Sequence, residues 1–443
     1  MVTTMQLSEH FKPLQGPAFR LVLLAVHTVG CGVSLAMVLQ LYGYLRLFTW
    51  NASHIGQAAL LALPVAAVAS TLAFARFSFG YLLSFYVYTT VLGYVCLVPF
   101  SQLAYDHRLP AVSAIISAAA FMAPTLFLRW PIKPRHTISV KTFRRLIAAI
   151  AAVTLAILAT GFFYNFKLVG LADIYQFRDE LRFPVLLQYA MGIALGALLP
   201  FAFACCIEMR ARFAAVAILL VLVALYPVTL TKTALFAPAW LGFLWFISTR
   251  LEPRVAVIAS LLGPIAFGIV LAILSKQGLV PQSMYLNYFG TINFRMIAYP
   301  SIALDVYNDF FSQHELTHFC QISVIKRLGT CPYSEQLSLV IAKSYPVGNL
   351  NASFLATEGI ASVGSILAPG SALLVGLFLS IGNHLSEGLT PRFIILSSGM
   401  VTQGFLNVPL SVLMVTNGAA ILFLLWYIVP RHAFADPQHQ SPP

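Results

Sequence analysis

The sequence predicts an all-α fold: a polytopic bundle of about twelve transmembrane helices, with one long external loop that contains short amphipathic helices. Three observations predict it. First, hydrophobic residues make up 59% of the 443 residues and charged residues only 9%, with a mean hydropathy of +0.85. Soluble domains carry about 25% charged residues, so a water-soluble globule is excluded. Second, apolar runs of about 20 residues recur along the chain, each long enough to cross a hydrocarbon core of roughly 30 Å as a helix. Third, the runs lack period-two alternation, which excludes a strand barrel.

The runs centre on 21–42, 55–75, 80–99, 110–128, 146–164, 184–204, 213–230, 234–247, 255–274, 358–381, 393–410 and 412–429. Only the polar TLTKT around Thr229 to Thr233 divides the seventh from the eighth. The first run follows a polar start without a small-residue cleavage site, and reads as an uncleaved anchor. No internal repeat or detached soluble domain is evident, so 1–443 reads as a single integral-membrane domain. Within it, 275–356 is a long periplasmic loop and 430–443 a disordered cytoplasmic tail.

Orientation follows from Lys and Arg near the ends of the runs. One side collects Lys12, Arg20, Arg76, Arg129, Lys133, Arg135, Lys141, Arg144, Arg145, Arg210, Arg212, Arg250, Arg254, Arg392 and Arg431; the other holds Arg46, Arg108, Lys167, Arg178, Arg182 and Lys232. The richer side is expected to be cytoplasmic, with both termini, which puts 275–356 and the shorter loop 165–183 outside. The net charge of +12 is explained by this loop bias, and nucleic acid is not expected as a partner.

Cys31, Cys96, Cys205 and Cys206 sit in or at the ends of spans, whereas Cys320 and Cys331 both fall in the external loop, where thiols oxidise. A Cys320–Cys331 disulfide is expected. His314 and His318 stand four apart, but no helix-borne acid accompanies them in the usual place, and no metal site or other cofactor is expected. A Walker loop, a dinucleotide fingerprint and a serine-hydrolase elbow are all missing from the sequence. Phosphate would have to be handled by Arg and Lys.

Candidate cations stand in three places. Lys232 lies between two apolar runs, where it either faces a cavity or partner or snorkels from a tight turn. In ADIYQFRDELRFP, Arg178 and Arg182 share one helical face beside Tyr175 and could grip a polyanion; pairing with Asp173 and Asp179 is the competing reading. Arg295, among apolar and aromatic neighbours, suits the membrane surface. In the long loop, apolar residues recur at Phe294, Ile297, Ile302, Leu304, Val306, Phe310 and Phe311, the spacing of amphipathic helices on the bilayer face. Interleaved aromatics with Asp305, Asp309, His314, Glu315, His318 and Glu358 would suit a carbohydrate site.

These segments resemble the O-antigen and oligosaccharide repeat-unit polymerases, the Wzy-like membrane glycosyltransferases. The resemblance rests on ADIYQFRDELR before a span, on TLTKT with Lys232, and on RMIAYPSIALDVYNDFFSQHELTHF leading to NLNASFLATEGIASVG. It covers roughly the C-terminal two thirds of the chain. The chain departs from the pattern where Leu230 or Thr231 replaces a glycine before the lysine, and where Glu358 replaces an aspartate before Gly359.

The resemblance implies transfer of a glycan from undecaprenyl diphosphate to a hydroxyl of a second lipid-linked unit, at the periplasmic face of the bacterial inner membrane. The polymer would be O-antigen lipopolysaccharide, capsule or exopolysaccharide, with a chain-length regulator as a protein partner. Arg178, Arg182, Lys232 and Arg295 would oppose the charge of the departing diphosphate, with Tyr175 and Asn351 lining the substrate. The base would be one of Glu358, Asp309, Glu315, His314 and His318. A glycan ligase shares this chemistry. A secondary transporter or lipid-linked glycan flippase has the same number of spans but expects two-fold internal similarity and mid-membrane charges.

Overall fold

The computed structural model describes residues 16–128, 138–170, 173–178, 181–327, 329–345, 347–348, 350 and 352–431. They are helical, with no strand longer than the single antiparallel bridge between Phe48 and Ser101. In chain order the helices are α1 (Pro17–Leu41), α2 (Ala52–Phe74), α3 (Phe79–Phe100), α4 (Arg108–Phe127), α5 (Val140–Tyr164), α6 (Val185–Glu208), α7 (Arg212–Thr229), α8 (Lys232–Arg250) and α9 (Pro253–Lys276). They continue with α10 (Gln282–Phe289), α11 (Tyr299–Gln313), α12 (Leu337–Ser344), α13 (Leu355–Ser386), α14 (Pro391–Phe405), α15 (Leu410–Val415) and α16 (Ala419–Ile428).

Among the described residues, nine helices are long and apolar enough to cross a membrane: α1 to α7, α9 and α13. Three of the twelve expected runs fall outside that criterion. The TLTKT break is real: α7 stops at Thr229, Leu230 takes a left-handed φ of 45°, and α8 restarts at Lys232. α8 stands outside the nine. The last two runs are cut short, because the chain turns after Phe405 and again at Gly418, whose φ of 75° interrupts the helix before Ala419.

Helix starts are capped where the sequence offers a short acceptor. Ser78 Oγ accepts from Tyr81 N at 3.1 Å, and Glu252 Oε2 accepts from Arg254 N and Val255 N at 3.1 and 3.2 Å, ahead of Pro253 in the first turn of α9. Such caps satisfy the backbone groups that lipid cannot.

The chain groups into two compact units: Met1–Leu128 with Leu251–Ser380 and Phe405–Leu410, and Arg129–Arg250 with Ile381–Gly404 and Ser411–Pro443. In the first, α3 is the core, buried at every position from Phe79 to Leu97. α1 shows two faces: Val22, Val26, Val29 and Val33 form an exposed stripe for lipid, while Leu24, His27, Cys31 and Leu35 turn inward. His27 Nε2 meets Thr89 Oγ1 at 2.9 Å, so this span carries a satisfied polar group in its interior. In the second unit, Phe143, Ile147, Ile150, Thr154, Leu158 and Gly161 make the buried stripe of α5. Trp240 Nε1 donates to Gly399 O at 3.2 Å, and Trp426 Nε1 donates to Ser397 Oγ at 3.0 Å.

The long loop departs most from expectation. α10 and α11 run together through a π-helical stretch, Gly290–Ala298, and all thirteen residues from Tyr299 to Phe311 are buried. The stretch Tyr299–Phe311 is packed into the first unit and is not laid on the bilayer face, whereas α10 keeps Met284 and Leu286 exposed. Several polar groups between Gly290 and Phe311 are matched inside the protein: Asn293 Nδ2 donates to Ser34 Oγ at 2.9 Å and to Ile265 O at 3.2 Å, and Ser301 Oγ donates to Thr90 O at 3.0 Å. Glycines allow the approach, since a Cβ on Gly268 would lie 1.9 Å from Asn293 Oδ1.

Candidate functional site

On α11 the polar residues Ser301, Asp305, Asn308, Asp309 and Ser312 recur at helical spacing and form one stripe. Because the helix is buried on all sides from Tyr299 to Phe311, that stripe meets protein as far as Asp309, and Ser312 is exposed. At its start Ser301 rests on α3. One turn on, Asp305 is wholly buried and receives two hydroxyls from the segment between α3 and α4: Ser101 Oγ at 2.7 Å on Oδ2 and Tyr105 Oη at 2.5 Å on Oδ1. His107 Nε2 is 3.6 Å from Oδ1, with its ring against that of Tyr105 at 3.9 Å.

The network extends sideways. Tyr94 Oη and Tyr105 Oη are 3.1 Å apart, and Asn308 Oδ1 accepts from Ser365 Oγ at 2.8 Å. A small internal space borders Asn308, Leu304, Pro110 and Ser117, whose hydroxyl is buried without a partner among the described residues.

Asp309, one further turn along, is 8% exposed. Its Oδ2 accepts from Tyr345 Oη at 2.5 Å, while its Oδ1 is buried and meets no hydrogen-bond partner among the described residues. A buried acceptor left open is costly, and native structures hold few of them. Tyr299 Oη donates to Val347 O at 3.1 Å, which ties the same stretch of chain to α11.

Burial pushes the Asp305 carboxyl above its ordinary range; the bonds from Ser101 and Tyr105 and the nearby His107 oppose this, and the Asp309 charge adds to it. Burial also raises the Tyr105 hydroxyl, with the Asp305 charge next. For Tyr345, burial again leads, followed by its bond to Asp309. Both tyrosines therefore keep their protons and act as donors to the carboxylates.

The other expected acids and bases are placed differently. Glu358, 3% exposed, lies in the π-helical start of α13 (Leu355–Ala361). Its Oε2 accepts from Thr357 Oγ1 at 2.5 Å and its Oε1 accepts from Leu410 N at 3.0 Å, so both oxygens fasten backbone and neighbour. His314 caps α11; its ring stacks on Phe310 at 3.9 Å and its Nδ1 lies 2.8 Å from Phe310 O. Glu315 and His318 are exposed, and no hydrogen bond joins either of them or His314 to Asp309 among the described residues.

Cys320 and Cys331 are joined as a disulfide with their Cα atoms 5.4 Å apart. Beside Cys320, Thr317 N donates to Ala361 O at 2.7 Å and Gln321 Nε2 donates to Ser362 Oγ at 2.8 Å, clasping this stretch to the start of α13.

Arg295 is exposed on the π-helical stretch, its guanidinium 5.1 Å from the Tyr299 ring centre. It precedes Asp309 by fourteen residues on continuous helix, a separation of roughly 20 Å at 1.5 Å per residue. In the second unit, Lys232 opens α8 and is half-buried, and Arg182 is exposed. Arg178 and Tyr175 belong to a short helix, Ile174–Arg178, but their side chains lie outside what the structure describes, and Asn351 lies outside the described residues. Among the described residues, no group of three or more His, Cys, Asp or Glu is arranged to hold a metal ion.

Sequence reasoning missed Ser101, Tyr105, His107 and Tyr345. One signal was available for three of them: SQLAYDHR packs a tyrosine, an acid, a histidine and an arginine into a short link between two apolar spans. Compared with known proteins, the chain matches no family model, no curated protein and no solved structure.

Proposed function

We propose that this chain is a membrane glycosyltransferase of the repeat-unit polymerase kind, which transfers a glycan from a polyprenyl diphosphate carrier to a sugar hydroxyl of a second lipid-linked unit. The setting proposed is the periplasmic face of a bacterial inner membrane, with the product an O-antigen, capsule or exopolysaccharide. One observation supports the reading: Asp309 has one oxygen held by Tyr345 and the other buried without a partner among the described residues. That is the arrangement of a base prepared for an incoming hydroxyl.

In the proposed step the acceptor hydroxyl gives its proton to Asp309 Oδ1 as its oxygen bonds to the anomeric carbon. The bond from that carbon to the diphosphate oxygen breaks, and the electron pair leaves with the diphosphate. Tyr345 holds the carboxylate in place, and the Asp305 network anchors the helix that carries it. Glu358, with both oxygens engaged, serves as a fastener in this reading. Arg295 stands too far along the helix to touch the same anomeric carbon. It suits the diphosphate of the acceptor's own carrier, an oligosaccharide's length away from the attacking hydroxyl.

The test is gel analysis of surface glycan from a deletion strain complemented with wild type or Asp309→Asn. Wild type restores the ladder of chain lengths, and Asp309→Asn leaves one repeat unit per lipid with protein still in the membrane. A normal ladder from Asp309→Asn overturns the assignment of the base. Complete loss of glycan from the lipid in the deletion strain points to a ligase or flippase instead.

A further inference from the structure

We infer that the open oxygen of Asp309 is a specificity element that accepts a hydroxyl or amino group of a neutral or amino sugar and rejects a sugar carboxylate. The inference rests on the proposed sugar-handling role of this site and goes beyond it by naming the substrate class.

Two independent features carry it. The first is the unfilled acceptor. Asp309 is more than nine-tenths buried, Tyr345 occupies Oδ2, and Oδ1 meets no hydrogen-bond partner among the described residues. A carboxylate only accepts, so its ligand must bring a proton donor: a hydroxyl, an ammonium or an amide N–H. A sugar carboxylate turned toward Oδ1 brings none.

The second feature is the charge around it. Asp305 lies one turn away on the same stripe, and the start of α13 contributes buried Glu358, whose charge helps to raise the Tyr307 hydroxyl on α11. Among the described residues around α11, two basic groups are engaged with acids, and Arg295 lies over the Tyr299 ring. His107 leans on Asp305 at 3.6 Å, and Lys343 at the end of α12 bonds both oxygens of Glu335 at 2.7 and 2.6 Å. An anionic sugar here would meet like charge in a site that water does not screen. Sites built to bond a donor discriminate strongly against groups that lack one. Tyr345 is half-buried and bonds only Oδ2, which leaves Oδ1 as the oxygen for a ligand.

The test uses the full chain, purified in a detergent without a sugar headgroup, titrated by saturation-transfer NMR with three probes on one ring. These are methyl glucoside, methyl glucosaminide and methyl glucuronide. Wild type is expected to bind the first two, with the glucuronide at least about tenfold weaker. In Asp309→Asn the charge is gone and an amide donor is present, so the glucuronide should come within about threefold of the glucoside. Asp309→Ala gives the same readout should the asparagine variant be lost from the membrane. Tyr345→Phe leaves the charge in place and should keep the discrimination. Equal binding of glucuronide and glucoside by wild type overturns the inference, as does an unchanged gap in both Asp309 variants or the absence of binding by all three probes. The ladder experiment is separate: if deletion of the gene leaves surface glycan unchanged, the polymerase reading falls while the measured discrimination stands.

Discussion

Ser301 and Gly93 stand closer than any side chain on Gly93 would permit: a Cβ there would lie 2.1 Å from Ser301 Oγ. The hydroxyl uses that space to donate to Thr90 O, and the contact sets the depth at which α11 enters the first unit. Gly93→Ala should therefore lower stability by about 1–3 kcal/mol through overpacking. It should also displace the Asp305 and Asp309 stripe. Thermal unfolding of the purified variant checks the first effect. Partial recovery in the double variant Gly93→Ala with Ser301→Ala, which removes the hydroxyl but keeps a Cβ 3.0 Å away, checks that the contact is the cause.

Glu358 joins the start of α13 to the backbone of Leu410. Glu358→Gln keeps an acceptor oxygen for that N–H and should cost little. Glu358→Ala leaves a buried donor unpaired and should destabilise by about 1–3 kcal/mol. The comparison is read by thermal unfolding and by the amount of protein held in the membrane. Equal stability of the two variants would remove Glu358 from its fastening role.

Asp305 gives a pH signature. Its carboxyl is raised in the fold, chiefly by burial, from an ordinary value of 3.8. The folded state thus holds the proton more tightly than the unfolded chain, and this contribution is complete below that ordinary value. It is lost as pH rises from there through the raised folded value. Unfolding temperature should fall over that window in wild type relative to Asp305→Asn, which cannot titrate at this position. Parallel curves for the two proteins would count against the shift.

The Cys320–Cys331 disulfide closes a loop with a sequence separation of 11. A loop of this size is worth about 2–3 kcal/mol in the chain-entropy account. Reduction should lower the unfolding temperature and free the Thr317–Gln321 clasp on the start of α13. Hydrogen exchange at Thr317 N, with and without reductant, reads the clasp directly, because that amide is bonded to Ala361 O.

The sequence by itself determined the class of the fold. Runs such as Pro253–Lys276 are too long and too apolar for anything but a helix through lipid, where backbone groups must be satisfied within the segment. It also marked an amphipathic pattern over α11 and the acids within it. What it did not contain was the direction that pattern faces. Periodicity says that one side of a helix differs from the other; it does not say whether water, lipid headgroups or other polar side chains will meet it. Only the tertiary structure turned Asp305 and Asp309 inward. There Tyr105, two hundred residues away, and Tyr345 supply the hydroxyls that make burial of two carboxylates tolerable. The same step separated Asp309 from Glu358, since an open oxygen and an occupied one depend on neighbours that no local pattern specifies.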